Sequence, residues 1–167
     1  MLKIINDLNP FFEDCYRRIN VREYAKIMHI SPPTASKLLS YYNAKNLLLK
    51  DKYKRYLLFC ANKESRDFID LSRIYWRYRL RELVSLMDKK LASPTMVLFG
   101  SLAKAEVKSN SDIDLAVFAS KKELDTRIFE KKLKRGVQIF WFKSFGDIKN
   151  KELASNISNG YILRGRL

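Results

Sequence analysis

Thr95-Met-Val-Leu-Phe-Gly-Ser101, ten further residues and then Asp112-Ile-Asp-Leu-Ala-Val-Phe118 form the most informative stretch of this sequence. The apolar part of each run carries no charge and is rich in β-forming residues, which predicts two buried strands. A glycine directly after the first strand, Gly100, allows the backbone to approach a phosphate closely. Ser101 and the amides that follow can donate hydrogen bonds to that phosphate. We therefore expect Gly100 and Ser101 to bind a nucleotide.

The two aspartates at the second run are expected to share one face of the sheet, because side chains i and i+2 of a strand point the same way. Carboxylates this close repel each other unless one is protonated or a cation lies between them. A hard divalent ion that also binds nucleotide phosphates meets this demand. Asp112 and Asp114 are therefore the expected metal ligands and catalytic residues. Two unrelated carboxylates at a strand edge are the simpler alternative, which the Gly-Ser pair at this distance disfavours.

The pattern Gly-Ser, ten residues, Asp-x-Asp resembles the signature of the minimal nucleotidyltransferases of the polymerase-β-like superfamily, over residues 95–142. Residues 156–165 are also similar to the C-terminal end of that family. The resemblance implies a small α/β domain with a mixed sheet, Mg²⁺ or Mn²⁺, and ATP as nucleotide substrate. It further implies transfer of AMP to a hydroxyl. Members of this subgroup often act as antitoxins that modify a HEPN-type toxin, which suggests a toxin protein as the acceptor.

One position departs from the family pattern. Active members usually add a third carboxylate from the next core strand, where it helps to bind metal and can take a proton. The predicted strand Val137–Phe142 places Gln138 there, and an amide can serve neither as a charged ligand nor as a base. Glu130 and Asp147 fall in predicted helix or loop and are not obvious substitutes. Enzymatic activity is therefore left open: the domain binds metal-nucleotide without transfer, transfers slowly, or receives the missing acid from a partner.

The first third of the chain has the pattern of a helix-turn-helix. Asn20 can cap a helix that begins at Val21, with Glu23 in position for a capping box. Ser31 caps a second helix, with Pro32 at its first position. The second helix of such a unit enters the DNA major groove by its N-terminal end. The candidate DNA contacts on it are Pro33, Thr34, Ser36, Lys37, Ser40 and Tyr41.

A β-hairpin is predicted next, with strands at 47–50 and 54–60 and a turn at Asp51-Lys52. Its basic residues suit phosphate contact and complete the candidate DNA-binding set: Lys50, Lys52, Lys54 and Arg55. The segments Val21–Ala25 and Ile30–Leu39 resemble the winged helix-turn-helix domains of archaea and bacteria. That resemblance implies DNA binding, and its alternative is a winged helix used only to bind protein.

The domain organisation predicted from these patterns has three parts. Residues 1–63 form the winged helix-turn-helix, residues 64–92 a long connecting helix, and residues 93–167 the nucleotidyltransferase domain. Apolar residues recur at helical spacing through the middle segment, and Ser93-Pro94 ends it. The overall class is α+β. A homodimer is expected, because winged-helix proteins commonly bind paired half-sites.

Composition restricts the partners. The 167 residues include 33 Lys and Arg against 18 Asp and Glu, a net charge of +15, which favours polyanions such as DNA, although a lysine-rich proteome would give the same excess. No apolar run approaches the ~18–20 residues that cross a bilayer, so no membrane association is expected. Two cysteines fit a reducing cytoplasm. The single His29 argues against histidine-based metal sites and a Ser-His-Asp triad.

Three functional hypotheses follow. The first is a DNA-binding transcription regulator whose transferase domain binds metal-NTP and transfers AMP to a hydroxyl, on a partner toxin in the antitoxin version. The second is a regulator whose transferase-like domain senses nucleotide or docks a partner without turnover. The third, an RNA nucleotidyltransferase, uses the basic charge but lacks any recognisable RNA-binding module.

Overall fold

A computed structural model describes residues 2–54 and 56–167. The chain divides into two compact units, Met1–Tyr75 with Ala105–Ser109, and Trp76–Lys104 with Asn110–Leu167. The division falls inside the long helix, so the segment expected as a connector contributes residues to both units. The described part of the chain has no helix that is both long and apolar enough to cross a bilayer.

The first unit consists of short helices and a three-stranded sheet. Its elements are α1 (Lys3–Asp7), α2 (Asn9–Glu13), β1 (Ile19–Asn20), α3 (Val21–Met28), α4 (Pro32–Ala44), β2 (Leu48–Tyr53), β3 (Tyr56–Ala61) and the first part of α5 (Arg66–Lys90). The strand order is β1-β3-β2, with both pairs antiparallel.

Local side-chain contacts set the ends of α3 and α4, as expected from the sequence. The Asn20 side chain accepts a hydrogen bond from the Glu23 backbone N–H at 3.0 Å. Glu23 does not complete a capping box, because its carboxylate pairs with Arg17 at 2.6 Å instead. His29 ends α3 in the left-handed region (φ 53°), and Ser31 accepts from the Thr34 N–H at the start of α4. The tight link between the two helices is confirmed.

The predicted hairpin turn at Asp51-Lys52 is wrong. Both residues lie within β2, where they pair with Leu58 and Leu57 of β3. The turn lies beyond Tyr53, and Lys54 there has φ 53°. Cross-strand pairing extends the ladder through polar residues that look like a turn in sequence. Arg55, one of the predicted DNA contacts, lies outside the described residues.

A buried aspartate organises the core of the first unit. The Asp7 carboxylate accepts hydrogen bonds from the Tyr42 hydroxyl at 2.6 Å and the Lys3 ammonium at 2.7 Å. Its backbone carbonyl accepts from the Tyr24 hydroxyl at 2.7 Å. Burial, followed by the Asp7 charge, raises the pKa of Tyr24 well above its usual value, so this hydroxyl keeps its proton. The network joins α1, α3 and α4.

The second unit begins with the second part of α5 and continues with β4 (Thr95–Phe99), α6 (Ser101–Lys104), β5 (Ile113–Phe118), α7 (Arg127–Leu133), β6 (Val137–Phe142), a 3-10 turn (Phe145–Asp147), α8 (Lys151–Ser158) and β7 (Tyr161–Arg164). The four strands form a mixed sheet, as predicted, and their order is β6-β5-β4-β7. Strand β5 is antiparallel to β4 and parallel to β6, and β7 is antiparallel to β4.

One face of this sheet forms an apolar cluster. Val97, Phe99 and Ala116 of the sheet pack with Ile148 and Ile157, and the rings of Phe118, Phe140 and Phe142 join them. Phe99 pairs with Asp114 across β4 and β5, so Asp114 lies on the same face as this cluster. The sheet therefore carries its carboxylate next to an apolar layer, at the end where β4 leads into α6.

Candidate functional site

The turn after β4 requires glycine for two reasons. Gly100 has φ +69°, in the left-handed region that other residues adopt only at a cost. A Cβ atom built on Gly100 would also overlap the Asp114 carboxylate. Ser101 follows at once as the first residue of α6 and is partly exposed. The backbone of this turn therefore lies directly against the side chain of Asp114.

The two aspartates lie close together, but only one is inside the strand. β5 begins at Ile113, so the exposed Asp112 immediately precedes it, which corrects the expectation that both belong to the strand. Asp114 is half-buried. Burial, and secondarily the negative charge of Asp112, raise the pKa of Asp114 above its usual range. The local environment thus disfavours two negative charges and would favour a cation between them.

Gln138 lies next to both aspartates. It pairs in register with Asp114 across the parallel strands β5 and β6. Its side-chain Nε2 donates a hydrogen bond to Asp112 Oδ2 at 2.8 Å. The Gln138 amide therefore lies beside both carboxylates.

Glu130 and Asp147, the two acids considered as substitutes for a third carboxylate, both make local hydrogen bonds instead. The Glu130 carboxylate accepts a hydrogen bond from the Val137 N–H at 3.2 Å and from the Thr126 hydroxyl at 3.1 Å. The Asp147 carboxylate caps the 3-10 turn by accepting from the Ser144 N–H at 2.8 Å. Both side chains serve local structure.

Arg135 and Gly136, which are outside the predicted site, contact the loop that carries Asp112. Arg135 is only 7% exposed, its guanidinium lies 5.1 Å from the centre of the Trp76 ring, and its Nη1 donates to the Ser111 carbonyl at 2.8 Å. A Cβ atom on Gly136 would come within 2.7 Å of Asp112 Oδ1. In the sequence, the basic run at residues 131–135 favours a solvated face over a contact with triphosphate or nucleic acid, and the burial of Arg135 contradicts that expectation.

The donor set fits a single hard cation better than a closed metal centre. Among the described residues, no group of three or more His, Cys, Asp or Glu side chains converges on one point. Asp112 and Asp114 supply two carboxylates, and divalent ions such as Mg²⁺ usually bind through one or two carboxylates plus substrate phosphates and water. The residues present are thus compatible with Mg²⁺ or Mn²⁺ carried by a nucleotide.

Comparison with known families agrees with this geometry. Residues 81–158 match the family model described as "Polymerase beta, Nucleotidyltransferase". The chain contains a nucleotidyltransferase-type domain. The matched segment includes the glycine turn, both aspartates and Gln138. No curated protein and no solved structure matches the chain.

The predicted DNA contacts that the structure describes are all exposed. The exposed residues of α4 include all six predicted contacts: Pro33, Thr34, Ser36, Lys37, Ser40 and Tyr41. On the hairpin, Lys50 and Lys52 alternate with Asp51, so the two lysines point to one face and the acid to the other. Asp51 is paired there with Arg18 at 2.9 Å. Lys54 is exposed beyond the end of β2.

Proposed function

We propose that this protein is a DNA-binding regulator whose nucleotidyltransferase-type domain binds a metal-nucleotide complex. The observation that carries the second half of this proposal is the surface formed by Gly100, Asp112 and Asp114. A glycine in the left-handed region lies against one of two neighbouring carboxylates whose charges oppose each other.

Asp112 and Asp114 would hold Mg²⁺ or Mn²⁺, and Gly100 and Ser101 would contact the phosphates of ATP. The ion, when bound, neutralises charge on the phosphates and carboxylates. The raised pKa of Asp114 means that ionising this side chain costs more than it would in water. Because a bound cation stabilises the carboxylate, cation binding is expected to lower that pKa.

Calorimetric titration of Mg²⁺-ATP tests this site. The wild type is expected to bind, and the double variant Asp112→Ala/Asp114→Ala is expected not to. Asp125→Asn is a matched control, because it removes a carboxylate of the same domain that is exposed and paired with Arg127. Absence of binding by the wild type would refute the nucleotide part of the proposal.

Nucleotidyl transfer is the second candidate function, favoured by the intact glycine turn and aspartate pair. A hydroxyl oxygen of the acceptor would attack the α-phosphorus of ATP, the bond to pyrophosphate would break, and the hydroxyl proton would pass to a base. Gln138 cannot accept that proton. The acceptor, such as a HEPN-type toxin, would then have to supply the missing carboxylate as the base, or transfer would be slow.

Intact mass spectrometry distinguishes these two functions. Wild type, Gln138→Asp and the double aspartate variant are incubated with ATP, Mg²⁺ and a candidate acceptor. A gain of one AMP on the acceptor that disappears in the double variant supports transfer. Nucleotide binding without any mass gain, including by Gln138→Asp, supports a sensor or a partner-docking domain.

The DNA-binding half of the proposal is supported by exposed polar residues at the start of α4 and by the lysine face of the hairpin. The DNA-binding constant falls as salt rises, and removing one lysine that neutralises a phosphate makes the plot of log K against log salt concentration less steep by about 0.9. Lys50→Gln/Lys52→Gln is therefore expected to flatten that slope by about 2. Lys89→Gln/Lys90→Gln removes the same charge from the end of α5 and should leave it unchanged.

Two outcomes oppose DNA binding. Equal slopes for both lysine variants would show that the hairpin does not contact phosphate. Absence of any DNA binding at low salt would leave the first unit as a protein-binding module. Sedimentation of the wild type with and without DNA tests the expected homodimer.

A further inference from the structure

The hydrogen bond between Gln138 and Asp112 limits the number of cations that the site can hold. A carboxylate only accepts hydrogen bonds, so the amide must present its Nε2 group to Asp112 Oδ2, at 2.8 Å. The Gln138 oxygen then points away from that carboxylate oxygen. An N–H group directed at a ligand oxygen competes with a metal ion for the same lone pairs.

Charge leads to the same conclusion. Two divalent ions about 3.5–4 Å apart, as in two-metal phosphoryl-transfer sites, place four positive charges side by side. Here the protein offers two carboxylates, and the family model spans this same pair. One ion can share its ligands between these carboxylates and the nucleotide phosphates. A second ion would depend mainly on protein ligands, and Gln138 supplies a neutral amide where it would need a charge.

The loop geometry prevents an easy rearrangement. Asp112 Oδ1 lies so close to Gly136 that a Cβ atom there would come within 2.7 Å of it, and Arg135 donates a hydrogen bond to the carbonyl of the preceding Ser111 at 2.8 Å. The Ile113 N–H donates to the Gly136 carbonyl at 2.9 Å and fixes the start of β5 next to β6. The backbone on both sides of Asp112 is therefore held next to the start of β6, beside Gln138.

We propose that Gln138 makes this a one-cation site, which admits the ion carried by the nucleotide and excludes a second ion. This inference rests on the proposed metal-nucleotide function. The site so defined binds a nucleoside triphosphate with one Mg²⁺ or Mn²⁺.

The test counts Mn²⁺ ions bound per chain, by electron paramagnetic resonance of the free ion, at saturating α,β-methylene-ATP. This analogue is not cleaved between its α and β phosphorus atoms, so binding is measured without turnover. Wild type is expected to bind one Mn²⁺, and Gln138→Asp and Gln138→Glu two. Asn159→Asp adds the same charge at the exposed end of α8 and should bind one.

Each outcome has a distinct meaning. Two ions on the wild type would overturn the inference and leave the proposed function intact. One ion on the wild type and on both acidic variants would also overturn it, because Gln138 would then not be the limiting residue. No Mn²⁺ or analogue bound by any variant that retains its circular dichroism spectrum would refute the proposed function itself.

Discussion

Replacing Gly100 by alanine is the sharpest single test of the candidate site. Gly100 has φ +69°, and a residue with a Cβ that adopts this left-handed conformation destabilises the folded state by roughly 1–2 kcal/mol. The new Cβ would also overlap the carboxylate of Asp114, which must move away. A hydrogen bond to a charged group contributes roughly 1.5–3 kcal/mol. If displacement of the carboxylate removes one interaction of that size with the bound complex, Mg²⁺-ATP affinity falls by about 10- to 150-fold.

Gly165→Ala provides the matched control. Gly165 has φ +79°, and its new Cβ would lie 2.8 Å from Thr95 Cα, so it carries comparable strain in the same domain without touching a carboxylate. Urea unfolding is expected to show a loss of stability for both variants. Calorimetry is expected to show weaker Mg²⁺-ATP binding only for Gly100→Ala. Equal affinities of the two variants would refute the argument that this turn and Asp114 form one site.

Three further predictions concern groups on which the site and the first unit depend. Because the folded state raises the pKa of Asp114, the free energy of unfolding falls as pH rises from the ordinary pKa of aspartate through the raised value. Asp114→Asn should therefore have a higher Tm than the wild type at neutral pH, and a difference in Tm that persists at pH 3 would contradict this. Tyr42→Phe should cost about 1.5–3 kcal/mol in urea unfolding, because it removes the hydrogen bond to the buried Asp7 carboxylate, and an unchanged midpoint would show that the bond adds nothing. Arg135→Met should weaken Mg²⁺-ATP binding more than Arg135→Lys, since only the latter keeps a donor for the Ser111 carbonyl; identical affinities would remove Arg135 from the positioning of the loop.

Much of the fold was predictable because its signals are local. Asn20 and Ser31 cap the helices that follow them, and these caps depend on residues only three positions away. The strands β4, β5 and β6 are short apolar runs, and each was predicted from its own composition. The position of Gln138 also followed from local alternation, since it required only the start of β6.

Features that depend on pairing between distant segments were not predictable in the same way. The hairpin turn was misplaced because Asp51 and Lys52 look like turn residues, whereas their pairing with Leu58 and Leu57 keeps them in the strand. The grouping of residues 105–109 with the first unit depends on hydrogen bonds such as that from the Cys15 N–H to the Val107 carbonyl, at 2.8 Å. Nothing in the sequence near either residue indicates that bond.

The candidate site shows the same division. The sequence by itself determined which residues are present: a glycine, a serine, two aspartates and an amide at strand ends. Only the tertiary structure decided that the Gln138 amide donates to Asp112, and that Arg135 is buried against Trp76 instead of solvated. The physical reason is that residue type and spacing specify local conformation, whereas burial and hydrogen-bond partners depend on which distant strands and helices pack together.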